Sequence, residues 1–148
     1  MSCVQTPAGV LRSTGTEFLE NMKIKIYYHD TDCGKVVYYA NYLKFLEEAR
    51  TEFFESKGIS IKELADDGIL FVVARQEIDY EAPAFYYDIL DINAKIVKLG
   101  AAKIEFANQI HNQDGKLIAQ AKTILVCIDK DFKPQPLPAG LRKKLENK

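Results

Sequence analysis

The sequence has few cysteines and histidines, which limits the kinds of site it can form. Cys3, Cys33 and Cys127 are an odd number of widely spaced residues without a Cys-x-x-Cys pair. Such a set fits neither a disulfide framework nor a zinc site, so we expect free thiols. His29 and His111 are too few for a metal cluster, and we interpret each as a strand or turn residue. We therefore predict no metal site.

The sequence also lacks a long apolar segment and an excess of charge of either sign. No apolar run approaches the ~18 residues of a membrane span, and the N-terminus lacks the charged start and apolar core of a secretory signal. The 20 basic and 21 acidic residues nearly balance, so no overall field favours nucleic acid or an anionic membrane. We expect a cytoplasmic protein, and 148 residues suffice for one domain with one core.

Apolar periodicity predicts one long helix and one short helix in the first half of the chain. Apolar side chains follow helical spacing over residues 41–57, and Gly58 is a typical helix stop. A second helix is predicted over residues 60–67, with Ser60 as its cap and Glu63 three residues later as in a capping box.

The rest of the domain is predicted to be strands. Residues 24–28 favour a strand before the long helix, and Asp114-Gly115 is a strong hairpin signal. Four further strands are predicted at residues 69–81, 87–99, 102–112 and 116–129. The order of one strand, a helix and four strands indicates an α+β fold.

Both ends of the chain fall outside this pattern. Residues 1–21 have no sustained period and are predicted to be a loose leader that is dispensable for folding. The leader is either the product of a translation start upstream of Met22 or a tail that packs on a partner. The main domain is assigned to residues 22–135. The proline-rich and lysine-rich segment from Phe132, including the C-terminal tail 136–148, is predicted to be a surface extension.

The segment YHDTDCGKVVYYANY, residues 28–42, places two carboxylates and a glycine directly before the long helix. Amides at a helix start carry partial positive charge and lack partners within the helix, so they can stabilise an oxygen that becomes negative. We therefore interpret the segment as an active-site loop. Capping or an Asx turn is the commoner role of Asp30 and Asp32 in such a loop. Cys33 is interpreted as non-catalytic, since His29 is its only local candidate base.

The loop resembles the Asp-x-Asp-x-x-x-x-Val-Tyr-x-x-x-Tyr signature of the 4-hydroxybenzoyl-CoA thioesterase-like family, which includes the acyl-CoA thioesterases associated with the Tol-Pal system. The similarity continues through residues 43–53 and 78–84 and covers roughly residues 22–135. The resemblance implies a hotdog fold, in which a five-stranded antiparallel sheet wraps around one long central helix. It also implies an acyl-CoA thioesterase without a cofactor, since coenzyme A is part of the substrate.

By this resemblance, Asp32 is the catalytic carboxylate and the backbone amide of Tyr39 polarises the thioester carbonyl. Asp32 either attacks directly or activates water, and both routes need its ionised form. Many Tol-Pal-associated relatives have His at the position of Tyr39, so the acyl group is left open between short-chain and aromatic. Some hotdog thioesterases carry the carboxylate on the helix, which makes Glu47 a secondary candidate. Its commoner role is an ion pair with Lys44 or Arg50.

Substrate contacts are expected on the later strands. The family usually holds the CoA phosphates with an Arg near the turn between the third and fourth strands, where this chain offers Lys98 and Lys103 as point charges. Such lysines are also common as solubilising edge residues. Val72, Val73 and Tyr80 are predicted to line the acyl pocket, although apolar strand residues are core by default.

The family resemblance and the small sheet together predict a homodimer or homotetramer, because an edge strand must be paired or protected. The active site would then lie between subunits. The alternative to an enzyme is a non-catalytic hotdog module that binds acyl groups or acyl carrier protein, or that scaffolds an envelope complex.

Overall fold

The computed structural model describes residues 21–146, so the predicted leader lies outside the described residues apart from Asn21. The helices are α1 (Asn41–Ser56), α2 (Ile61–Asp66) and α3 (Ala139–Glu146). The strands are β1 (Met22–Lys25), β2 (Leu70–Tyr80), β3 (Ile89–Leu99), β4 (Lys103–His111) and β5 (Leu117–Ile128). Among residues 21–146 no helix is long and apolar enough to cross a membrane.

The five strands form one antiparallel sheet in the order β1-β3-β4-β5-β2, and α1 packs on one face of it. This arrangement confirms the predicted α+β fold with a sheet around a central helix. The four later strands begin and end within two residues of their predicted bounds. The first strand is shorter than predicted because residues Tyr28–Asp30 form a 3-10 turn, in which Asp30 Oδ2 accepts the Tyr27 N–H at 2.9 Å.

Local sequence signals account for the helix ends. Gly58 has a positive φ of 77°, which glycine adopts without steric cost, and α1 ends just before it. Ser60 caps α2, since its side chain accepts the Glu63 N–H at 3.2 Å. Both features confirm the predicted bounds of the two helices.

The core lies between α1 and the sheet. One part surrounds Leu46 and Ile92, and the other surrounds Phe54 and Phe106, all of which are fully buried. Arg50 is a charged exception on the buried face of α1, where its guanidinium donates to Thr123 Oγ1 at 3.5 Å.

The C-terminal segment completes this core, so the prediction of a surface extension is wrong. Leu137, Leu141 and Leu145 are buried against the Phe54 and Phe106 part of the core. The Leu137 N–H donates to the Ala101 carbonyl at 2.9 Å. The prediction followed from the prolines and lysines of this segment, whereas its leucines favour burial, because burying a leucine side chain contributes roughly 2 kcal/mol.

The two ends of the sheet differ in what they carry. We call the first end the loop end, because residues 26–40 lie there beside the β2–β3 connection. The Ile26 N–H donates to the Asp88 carbonyl at 2.8 Å, and the Val37 N–H donates to the Ala84 carbonyl at 2.9 Å. At the second, which we call the hairpin end, lies the β3–β4 turn at Gly100. β2 is an edge strand with eleven residues and one unpaired side.

Candidate active site

Asp30 holds the loop in place through both its side chain and its backbone carbonyl. Its side-chain Oδ2 accepts the Tyr27 N–H. Its backbone carbonyl accepts both the Tyr38 N–H and the side-chain amide of Asn41, each at 2.9 Å. The carbonyl of Asp30 therefore ties the loop to the residues that lead into α1.

Asp32 lies in the turn that follows. Its Oδ1 accepts the Gly34 N–H at 2.8 Å, which makes the Asx turn that we considered from the sequence. Its backbone pairs with Val36, since the Asp32 N–H donates to the Val36 carbonyl at 3.0 Å. The residue is exposed, and no hydrogen bond among residues 21–146 uses its second carboxylate oxygen. One oxygen thus fixes the side chain while the other is open to solvent.

The Tyr39 amide lies in the turn before α1, two residues upstream of the first helical residue, Asn41. It shares a peptide plane with the Tyr38 carbonyl, which accepts the Asn41 N–H at 2.9 Å. Because the peptide is planar, the Tyr39 N–H points in the opposite direction, away from the helix backbone. No backbone hydrogen bond of the described chain uses it, and no side chain caps the helix at Ala40. This amide is an unpaired donor at the positive end of a helix.

Tyr80 joins this turn from the end of β2. Its hydroxyl donates to the Tyr39 carbonyl at 3.0 Å, and its ring meets those of Tyr39 and Tyr42 edge to face, with centroids 6.2 and 5.5 Å apart. Burial raises the pKa of Tyr42 to about 12, with the neighbouring Tyr80 as a smaller cause. Burial also raises the pKa of Tyr80, with Tyr39 adding to the effect. Both phenols are therefore neutral donors near pH 7.

Exposed aromatic side chains surround the loop, and we call this set the aromatic rim. Each member exposes at least 44% of its surface. Ring contacts join Tyr28 to Tyr86 and Tyr39 to Tyr80, and clusters of exposed apolar surface often mark a binding site. The members of the rim are Tyr27, Tyr28, Tyr38, Tyr39, Tyr80, Phe85, Tyr86 and Tyr87. Of this set, only Tyr39 and Tyr80 were predicted site residues, although three consecutive aromatic residues, Phe85-Tyr86-Tyr87, are visible in the sequence.

The other predicted substrate contacts lie at the hairpin end of the sheet. Val72 and Lys103 are both level with Val126 in the strand register, and Lys98 is near the end of β3. Val73 precedes Tyr80 by seven residues of strand, a separation of about 23 Å at 3.3 Å per residue. Tyr80 is therefore the one predicted pocket residue that a single chain brings to the loop.

Glu47 is exposed on α1, and its partner differs from those expected. Its Oε2 accepts the Thr51 hydroxyl at 3.0 Å, and no ion pair with Lys44 or Arg50 is present among residues 21–146. The Arg50 side chain lies in the core instead. Burial lowers the pKa of its guanidinium, and the negative charge of Glu47 raises that pKa by a smaller amount.

The described thiols and histidines supply no second site. Cys33 is exposed in the loop, while Cys127 is buried, and burial raises the pKa of its thiol. His29 Nδ1 lies 3.6 Å from Asp30 Oδ1. In the described part of the chain, no group of three or more His, Cys, Asp or Glu side chains is placed to hold a metal ion.

A cavity of about 460 Å³ lies away from the loop, on the face of the sheet opposite α1. Its lining is polar and includes Glu77, Asp79, Gln109, Gln120 and Lys122. None of the site residues predicted from the sequence belongs to this lining.

Comparison with known proteins gives one consistent result. Residues 27–145 match the family model of the thioesterase-like superfamily. The chain is 35% identical over 119 residues to the acyl-CoA thioester hydrolase YbgC of Escherichia coli, covering 80% of this chain and 89% of that protein. It is 25% identical over 130 residues to the 1,4-dihydroxy-2-naphthoyl-CoA hydrolase of Thermosynechococcus vestitus, covering 84% and 89%.

The solved structures agree with these relatives. The 1,4-dihydroxy-2-naphthoyl-CoA thioesterase of Synechocystis superposes with a TM-score of 0.79 at 26% identity, covering 85% of this chain and 94% of that one. The sheet around α1 is therefore a hotdog fold, as the resemblance implied.

Proposed function

This chain belongs to the thioesterase-like superfamily and is an acyl-CoA thioesterase, and we propose that Asp32 and the Tyr39 amide are its catalytic groups. The observation that supports this assignment is the pairing, in one short loop, of a carboxylate with an open oxygen and a backbone donor without a partner. The relatives share the fold and the thioester chemistry, and the loop supplies the two groups that this chemistry needs.

In the proposed reaction, the thioester carbonyl oxygen accepts a hydrogen bond from the Tyr39 N–H. Charge moves onto that oxygen as the carbonyl carbon is attacked, so a donor fixed before the reaction stabilises the transition state more than the substrate. Asp32 either attacks the carbon to give a mixed anhydride, which water then hydrolyses, or takes a proton from the attacking water. In both routes the C–S bond breaks, and CoA leaves as a thiol once its sulfur gains a proton.

Between a short-chain and an aromatic acyl group, we favour the aromatic one. Tyr39, Tyr42 and Tyr80 meet edge to face beside the proposed oxyanion donor, and such rings favour a further aromatic ring over a short alkyl chain. Two relatives act on 1,4-dihydroxy-2-naphthoyl-CoA, an aromatic thioester. A panel of aromatic and aliphatic acyl-CoAs compared by kcat/KM tests the preference, and a higher value for the aliphatic substrates would contradict it.

We further propose that a second copy of the chain completes the substrate site. The unpaired side of β2 offers eleven residues for antiparallel pairing with another β2. Pairing about a two-fold axis near Gln76 would place Val72 of one copy opposite Tyr80 of the other, and it would bring the hairpin end of one copy toward the loop end of the other. This arrangement accounts for why Val73, Lys98 and Lys103 lie far from Asp32 within one chain.

The decisive experiment replaces three carboxylates and follows release of free thiol from the best acyl-CoA. Asp32→Asn keeps the Asx turn but removes the charge needed for attack or water activation, so turnover should fall by roughly a hundredfold or more. Asp30→Asn and Glu47→Gln are matched controls that should cost less, because an asparagine at 30 still offers an acceptor to the Tyr27 N–H.

Circular dichroism confirms that each variant folds. Near wild-type turnover of Asp32→Asn with an inactive Glu47→Gln would assign the reaction to the helix glutamate. A wild-type protein that releases no thiol above background from any acyl-CoA would instead support the non-catalytic binding module.

A further inference from the structure

We propose that the Tyr80 hydroxyl is a positioning group that holds the Tyr39 amide in the orientation needed to bind the thioester oxygen. This inference rests on the proposed role of the Tyr39 amide. The carrying observation is the hydrogen bond of 3.0 Å from the Tyr80 hydroxyl to the Tyr39 carbonyl, which joins the last residue of β2 to the turn before α1.

Two peptide planes meet at the Cα of Tyr39, and their directions set where its amide points. The first plane is the peptide between Tyr38 and Tyr39, which contains the Tyr39 N–H. The hydrogen bond from the Asn41 N–H to the Tyr38 carbonyl holds this plane. The plane after it ends in the Tyr39 carbonyl, which Tyr80 holds. With both planes held, φ and ψ of Tyr39 are fixed, and so is the direction of its N–H.

Among the described residues, Tyr80 alone holds the Tyr39 carbonyl. The Tyr39 carbonyl precedes the regular helix, and its only hydrogen bond among residues 21–146 comes from the Tyr80 hydroxyl. Without this bond, the second plane is free to rotate toward water, and the turn gains conformations in which the N–H misses the substrate. A donor misplaced by about 1 Å can cost on the order of a hundredfold in rate, so partial loss of order should cost about tenfold.

The test is Tyr80→Phe, which keeps the ring contacts with Tyr39 and Tyr42 and removes only the hydroxyl. We expect kcat to fall about tenfold while KM changes less than about twofold, because the bond acts on a donor used most strongly in the transition state. The acid side of the pH profile should be unchanged, because Asp32 and its neighbours are intact. Ser56→Ala is the matched control. It also removes a hydroxyl that donates to a backbone carbonyl, that of Phe53 at 2.6 Å, at the far end of α1, and it should leave kcat unchanged.

Each result has one meaning. A wild-type kcat in Tyr80→Phe alongside an inactive Asp32→Asn would overturn the positioning role and leave the proposed function intact. A raised KM with unchanged kcat would also overturn it, because Tyr80 would then bind the substrate in the ground state. Active Asp32→Asn would instead refute the proposed function itself. The Tyr39 carbonyl carbon shift, measured by NMR in wild type and Tyr80→Phe, should move on loss of the bond, and an unchanged shift would contradict the inference without reference to activity.

Discussion

Replacing Gly34 by alanine should move the Asp32 carboxylate without unfolding the protein. A Cβ at position 34 would lie 3.1 Å from Asp32 Oδ1, closer than ordinary van der Waals contact, so the carboxylate must shift by a few tenths of an ångström. Because displacement of about 1 Å can cost on the order of a hundredfold, a shift of this size should lower kcat roughly threefold to tenfold. Gly→Ala also restricts the unfolded chain, which is worth about 0.4–1 kcal/mol of stability and offsets the local strain.

The assay pairs thiol release with thermal unfolding. Gly34→Ala should lose turnover while its melting temperature stays close to that of wild type. Gly140→Ala is the matched control, because its added Cβ meets no atom within 4 Å, and its turnover should be unchanged. Wild-type kcat in Gly34→Ala, with Asp32→Asn inactive, would show that the reaction tolerates this displacement and would refute the argument from close contact.

Two further predictions concern packing and assembly. Leu141→Ala should lower the free energy of unfolding, measured by chemical denaturation, by about 3 kcal/mol, because Leu141 is buried in the core. Leu43→Ala, at an exposed position, should lower it by less than about 1 kcal/mol. Equal effects of the two substitutions would contradict a core role for α3. The open side of β2 predicts a sedimenting species of two or four chains, and a fully active monomer at assay concentration would rule this out.

The elements that were predicted well are those set by neighbouring residues. The 3.6-residue spacing of apolar side chains gave α1, and Gly58 and Ser60 gave the break between α1 and α2, because helix signals act within one or two turns. The catalytic role of Asp32 is still a proposal, which the family motif suggested. The structure adds two features that the motif does not contain, the free carboxylate oxygen of Asp32 and the unpaired amide of Tyr39.

The features that sequence reasoning missed depend on residues far apart in the chain. Tyr80 bonds to the Tyr39 carbonyl across 41 positions, and Arg50 reaches Thr123 across 73. Spacing along the chain also says nothing about which end of a sheet a residue occupies. The family resemblance placed Lys98 near the substrate, and strand direction puts this residue at the end of the sheet opposite Asp32 in its own chain.

The position of α3 in the core bears on how the protein is made. Its leucines are synthesised after every strand of the sheet, so the surfaces of Phe54 and Phe106 that they cover stay open until α3 has been made. A nascent or prematurely terminated chain that stops before Leu137 would present this apolar surface to the cell. Such chains are natural clients for chaperones and proteases, which act on exposed apolar surface. The packing of α3 thus gives quality control a way to separate chains that have made this helix from chains that have not.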